Sequence, residues 1–263
     1  MPAAASDAGT AASAKLAKVA KVAAHHRERC CTVGQHIARH TIAIMDGKEF
    51  IAGLVAEMEA LFARLGEQET LEAESEGQVE VRTLLRLALK SELEASELAG
   101  LWMPTTPEID VKLLLAEQCG DEMKHYALIC GRLGELGEDL GAFEPLAEGY
   151  SPLYQYLRGL RSTVERISAG PFAREAIAKV RNAQFIALCD AAGDAETARL
   201  YRDVIQPEEV KHHELARDIL EKLCTTAELQ ELAAEATRNT LAIADELRTL
   251  AEKSTGMHPI PVS

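Results

Sequence analysis

Asp121-Glu122-Met123-Lys124-His125-Tyr126 and Glu208-Glu209-Val210-Lys211-His212-His213 decide how this chain is read. In each stretch a Glu and a His stand three residues apart, which at helical pitch puts a carboxylate and an imidazole on one face. The two stretches align at a single offset of 87 residues, Glu122 to Glu209 and His125 to His212. At the same offset Leu128 meets Leu215 and Leu133 meets Leu220. A lone Glu-x-x-His is a frequent accident in an acidic chain, whereas two inside an internal repeat are not. Two such helices packed antiparallel bring their carboxylates and imidazoles together, a donor set suited to a pair of metal ions inside a helical bundle.

The flanking sequence reads as helix almost throughout, with no strand pattern of convincing length, so the expected class is all-α. Ala, Leu and Glu abound while aromatics make up only 4% of residues, a mix that favours helix. Periodicity predicts helices over 17–45, then from a cap at Asp46-Gly47 to 65 before Gly66, then over 79–102. Pro107 suits a first helical turn with Glu108 and Asp110 behind it, opening a helix that runs to 136. The acidic, glycine-rich stretch 131–151 follows a helix rather than a strand, which argues for a crossing connection and against a phosphate loop. A short helix is expected over 151–168, and Gly170-Pro171 is expected to open a long one to 192. Gly193-Asp194 reads as a turn and cap for a helix to 223, with Pro207 set to kink it just before Glu209. Thr225 or Thr226 caps a last helix to 253. The domain reading is a mobile tail at 1–14, N-terminal helices at 15–78, a metal-binding bundle at 79–223, and a C-terminal helix and tail at 224–263.

Each Glu-x-x-His helix follows a helix that can add one more carboxylate. Between Ile167 and Cys189 that carboxylate has to be Glu175, on a mostly apolar stripe with Phe172, Ala178 and Phe185. Before the first motif the candidates are Glu92, Glu94 and Glu97. Glu92 continues the stripe of Leu85, Ala88 and Leu89, where a carboxylate is costly unless paired or metal-bound, and is preferred over Glu94, which remains the alternative. Tyr126 and His213 flank the motif histidines and are candidates for supporting contacts. Trp102, ending its helix, reads as a plug for the bundle end.

With this pattern the chain resembles the ferritin-like di-iron carboxylate superfamily, which includes rubrerythrins, ribonucleotide reductase small subunits and bacterial di-iron oxygenases. The resemblance spans about 79–223 and rests on the doubled Glu … Glu-x-x-His. It implies a ferritin-like four-helix bundle in which Glu92, Glu122, His125, Glu175, Glu209 and His212 bind two iron ions, or manganese or a mixed pair, with Glu122 and Glu209 bridging. One feature departs from strict repetition: Glu92 and Glu175 precede their motifs by 30 and 34 residues. The function this implies is an O2-activating oxidase or oxygenase acting on a small organic substrate, with electrons from an external donor. A substrate pocket is then expected on the faces carrying Tyr126, Ile129 and Phe185. The second class is a ferroxidase or rubrerythrin-like iron-handling or peroxide-defence protein, though no Cys-x-x-Cys electron-transfer module is present. The third is a non-enzymatic helical interaction protein, in which Lys124 and Lys211 make surface ion pairs worth well under ~1 kcal/mol and the histidines are core residues.

A net charge of −14 argues against nucleic acid, whose phosphates need a basic face. Cys30, Cys31, Cys119, Cys130, Cys189 and Cys224 form no disulfide framework, which fits a reducing, cytoplasmic setting. The lysines at 15, 18 and 21 lack the apolar run of a secretory signal, no stretch is long enough for a membrane span, and a homodimer is compatible with the composition. His36 and His40, with His25, His26, Cys30 and Cys31 nearby, offer soft-metal donors, but a polar helix face explains them more simply.

Overall fold

The structure is a computed structural model that describes residues 45–68 and 80–255. The expectations for the N-terminal tail, the lysine stretch, the helix over 17–45 and the His/Cys group at 25–40 lie outside the described residues. Nine α-helices are described: α1 (Gly47–Gln68), α2 (Val81–Trp102), α3 (Ile109–Glu135), α4 (Pro152–Arg158), α5 (Thr163–Ile167), α6 (Glu175–Ala191), α7 (Ala195–Leu200), α8 (Gln206–Leu223) and α9 (Ala227–Thr255). Two π-helical turns, Ser168–Arg174 and Tyr201–Ile205, lead directly into α6 and α8. No strand occurs among the described residues, and none of their helices is long and apolar enough to cross a membrane.

Helices α2 and α3 form the most extensive pair, α8 packs on both α3 and α6, and α1 lies against α8. Small residues let α2 and α3 approach closely: Ser96 Oγ donates to the Cys119 carbonyl at 2.9 Å, and a Cβ at Gly100 would stand 3.8 Å from Cys119 Sγ. Apolar side chains gather in two clusters. One holds Trp102, Leu115, Ile167, Phe172 and Leu220, with Ile51, Leu54 and Met58 of α1 packed on it. The other holds Leu85, Leu89, Ile129, Leu133, Phe185 and Tyr201. Along α2 and α3 the acids and His125 fall between the residues given to one cluster and those given to the other. The polar layer is therefore roofed and floored by apolar packing, which excludes water from it.

Several boundaries differ from the sequence reading. Helix α1 runs through Gly66 to Gln68, since glycine in a helix costs only about 1 kcal/mol. Pro107 precedes the N-cap Glu108 instead of opening α3. The segment 151–168 is two short helices, capped by Ser151 and Ser162, the latter in a reciprocal capping box with Glu165. Gly170-Pro171 starts no helix: the chain passes through it as a π turn, which absorbs the missing proline N–H and the ring's clash with the preceding turn. Pro207 acts in the same way, with the π turn Tyr201–Ile205 set just before it in place of a break.

The stretch after α3 does cross the molecule, turning at Gly137 (φ 84°) and Gly149 (φ 79°), where only glycine adopts the backbone freely. Its anchors are on α2. Arg86 pairs with Glu138, Tyr150 donates to Glu97 at 2.7 Å, and Ser151 donates to Glu94 through its N–H at 2.6 Å and its hydroxyl at 2.5 Å. Trp102, 2% exposed, sits over Gly170. A Cβ there would stand 2.8 Å from the indole, so Gly170→Ala is expected to destabilise the protein by about 1–3 kcal/mol in chemical denaturation.

Candidate metal centre

Glu122, His125, Glu175 and His212 are fully buried, and Glu92 and Glu209 nearly so. Ligand atoms of Glu92, Glu122, His125 and Glu209 all lie within 4.8 Å of one another, a buried group that can hold a metal ion. His125 Nδ1 is the hub, 3.4 Å from Glu92 Oε2, 3.6 Å from Glu122 Oε2 and 3.7 Å from Glu209 Oε1. The other oxygen of Glu209 stands 3.8 Å from His212 Nδ1, so this carboxylate lies between the two imidazoles. Glu175 approaches from α6. Its Oε1 accepts from Gln118 Nε2 at 2.6 Å and from the Arg174 guanidinium at 2.9 Å, and both donors also stand near Glu122 Oε1, at 3.4 and 3.7 Å.

Each of the six side chains presents one buried atom without a hydrogen-bond partner among the described residues: Oε2 of Glu92, Glu122, Glu175 and Glu209, and Nδ1 of His125 and His212. Buried polar atoms are rarely left unpaired, because each orphan costs about 1–3 kcal/mol. Six at one place form a buried polar group that could hold a cation.

The opposite nitrogens are already taken. His125 Nε2 meets Glu208 Oε2 at 2.7 Å, and His212 Nε2 meets Asp121 Oδ2 at 3.2 Å. Asp121 and Glu208 are partners in the 87-residue repeat, so the acid before each motif Glu braces the imidazole of the other helix. A carboxylate on Nε2 fixes the tautomer that leaves Nδ1 as the free lone pair and raises the basicity of that nitrogen. Asp121→Asn is therefore expected to weaken metal binding about 10–100-fold while leaving the helical circular dichroism spectrum intact, as read by equilibrium dialysis.

Burial and the neighbouring charges shift the proton affinities of this group. Burial, aided by the charge on Glu122, pushes Glu92 up to about 8. Burial also pushes Glu209 far above the ordinary carboxylate range, with Glu122 and Glu175 adding to it. Burial works against the charge on Glu122 too, yet the neighbouring His125, Glu92 and Arg174 outweigh this and hold it low. Burial likewise opposes charge on His125, but Glu122 and Glu92 lift it to about 10. Arg174 supplies a further positive charge beside Glu175 and Glu122.

The choice between Glu92 and Glu94 follows from these contacts: Glu92 faces His125, whereas Glu94 and Glu97 fasten the crossing connection to α2. Tyr126 and His213 do not support the centre as expected. Tyr126 is half-buried beside Cys130, and His213 turns away to donate from Nδ1 to the Phe172 carbonyl at 2.7 Å while stacking on the Phe172 ring. That role falls instead to Asp121, Glu208, Gln118 and Arg174. The first two were signalled by the repeat, Gln118 by its place one turn before Glu122, and Arg174 by adjacency to Glu175. Lys124 and Lys211 do make surface pairs, with Glu208 and Glu117.

No protein-family model matches this chain, and no curated protein or solved structure shows significant similarity to it.

Proposed function

We propose that the chain is a ferritin-like four-helix bundle in which Glu92, Glu122, His125, Glu175, Glu209 and His212 hold two iron ions for the O2-dependent oxidation of a small organic substrate. The single observation that carries this reading is the six unpaired, buried ligand atoms, one on each of those side chains. Four carboxylates and two imidazoles are too few donors to fill two iron coordination shells, so positions remain for exogenous ligands; manganese or a mixed pair suits the same donors. Ferrous ions held there supply electrons for reducing dioxygen, replenished by an external donor.

The chain's own contributions are orientation, charge balance and exclusion of water. Asp121 and Glu208 hold the rings, and Gln118 and Arg174 hold Glu175. The apolar clusters close the layer on both sides. Beside Glu175 lies a void of about 10 Å³, lined by Trp102, Leu157 and Gly170 as well as Gln118 and Arg174, room for one water-sized molecule.

That void favours a second reading. At the size of a single water it has no room for an organic substrate, which suits an iron-oxidising or peroxide-consuming protein whose exogenous ligands are small. The face expected to receive substrate is filled, since Ile129 and Phe185 are packed with Leu89 and Tyr201. Oxygen uptake by ferrous-loaded protein separates the readings. An oxygenase consumes oxygen faster with a suitable organic substrate and yields an oxygenated product. An iron-handling protein consumes it at a rate set by ferrous iron alone and releases or mineralises ferric iron. Two bound ferrous ions with no oxygen uptake under either condition would sink both.

A further inference from the structure

A second cavity lies apart from the metals, and none of the six metal-facing side chains lines it. It is a cleft of about 530 Å³ where α1 stands off α6 and α8, within the range of small-molecule sites. Val55, Met58 and Phe62 of α1 form one wall, and Ala176, Val180 and Ala183 of α6 face them. Polar groups interrupt this apolar lining, Gln184 of α6 among them, and two come from α8, Gln206 and His213.

Both present an unused acceptor. His213 is 7% exposed, and its Nδ1–H is committed to the Phe172 carbonyl, which leaves the lone pair on Nε2 of the neutral ring. Nε2 has no hydrogen-bond partner among the described residues, and the stack on Phe172 holds the ring in place. Gln206 must direct its Nε2 to the Lys179 carbonyl, at 2.9 Å, because a carbonyl cannot donate. Its Oε1 is buried and unpaired among the described residues. Acceptors held in an apolar cleft are costly until a donor reaches them. The charged groups of the lining are one Lys179 and one Glu59, which give no net field to select an ion.

We propose that this cleft binds an uncharged amphipathic molecule, its apolar body between α1 and α6 and its hydroxyl or amide N–H donating to His213 Nε2. With Lys179 and Glu59 both in the lining, neither an amine nor a carboxylate gains a net electrostatic advantage, and His213 Nε2 offers a carboxylate no proton. The site is independent of what the metal centre does.

The test uses full-length, metal-loaded protein and two isomeric probes matched in length, 1-decanol and methyl nonyl ether, titrated by calorimetry or ligand-observed NMR. Decanol should bind about tenfold more tightly, the value of one buried hydrogen bond. His213→Phe keeps the stack and should bring decanol down to the level of the ether without moving the ether. Ala183→Phe fills the cleft and should abolish both. Circular dichroism and metal content of each variant guard against loss through unfolding or through the neighbouring His212. Binding of neither probe to the wild type, or equal binding of both there, would overturn the proposal. So would decanol binding unchanged in His213→Phe.

Discussion

Glu209→Met is expected to abolish stable metal binding, lowering affinity on the order of a hundredfold or more, and at the same time to raise the melting temperature of the metal-free protein. Glu209 stands between the two imidazoles, so its loss removes a ligand from both halves of the site. In the metal-free chain it is a buried acid with an unpaired oxygen, pressed by Glu122 and Glu175. A methionine of similar shape removes that burden, worth about 1–3 kcal/mol. Glu94→Met is the control, with the opposite signature. Metal binding should persist, while the Ser151 N–H loses its acceptor and the fold weakens by about 1–3 kcal/mol. Metal analysis together with chemical denaturation of the two variants reads both effects. Metal retained by Glu209→Met would be incompatible with the site as described.

The metal-free protein should lose stability as pH rises from about 5 to about 8, and the metal-loaded protein should not. The sign follows from three groups whose folded values are raised, against the opposing contribution of His213, which burial lowers. Glu92 sits at about 8 and Glu209 well above its ordinary value, so in this window the folded chain keeps protons that the unfolded chain has released. Raising the pH therefore favours unfolding. His125, at about 10 in the fold against an ordinary 6.5, acts in the same direction once the pH passes the lower value. The benefit from Glu122, whose folded value is depressed, is complete above its ordinary value and adds no slope here. Metal displaces these protons, so its affinity should climb with pH and the gap in melting temperature between the loaded and metal-free forms should widen. Thermal melts at a series of pH values check this, and a constant gap would contradict it.

The burial of the six candidate residues was legible because helical spacing and apolar stripes leave marks in sequence. Glu175 stood out as the lone acid on an apolar stripe, and Glu92 as an acid inside one; the structure sets both inward, towards the two motif helices. What could not be read depended on helix rotation and on contacts between distant segments. Whether Glu94 faced a metal or a loop turned on where Ser151 would arrive, 57 residues later. The braces His125–Glu208 and His212–Asp121 cross from one helix to another, and only their symmetry shows in the repeat. Pro171 and Pro207 read as a start and a kink because proline denies a backbone bond. A π turn resolves that denial without ending the helix, and no local pattern announces it. His213 looked like a neighbour of the metals by sequence, but its adjacency to His212 rotates it about 100° around α8, towards the cleft.

In the proposed arrangement, six side chains from four helices form one site for two metal ions. A crystal structure of the ferrous- or manganese-loaded protein, with anomalous scattering to locate the metals, tests it most directly. Two metal peaks are expected between α2, α3, α6 and α8, with Oε2 of the four glutamates and Nδ1 of His125 and His212 within about 2.0–2.4 Å of them. A loaded structure with metal elsewhere, or with Glu175 turned out to solvent and a single ion among the remaining residues, would contradict it.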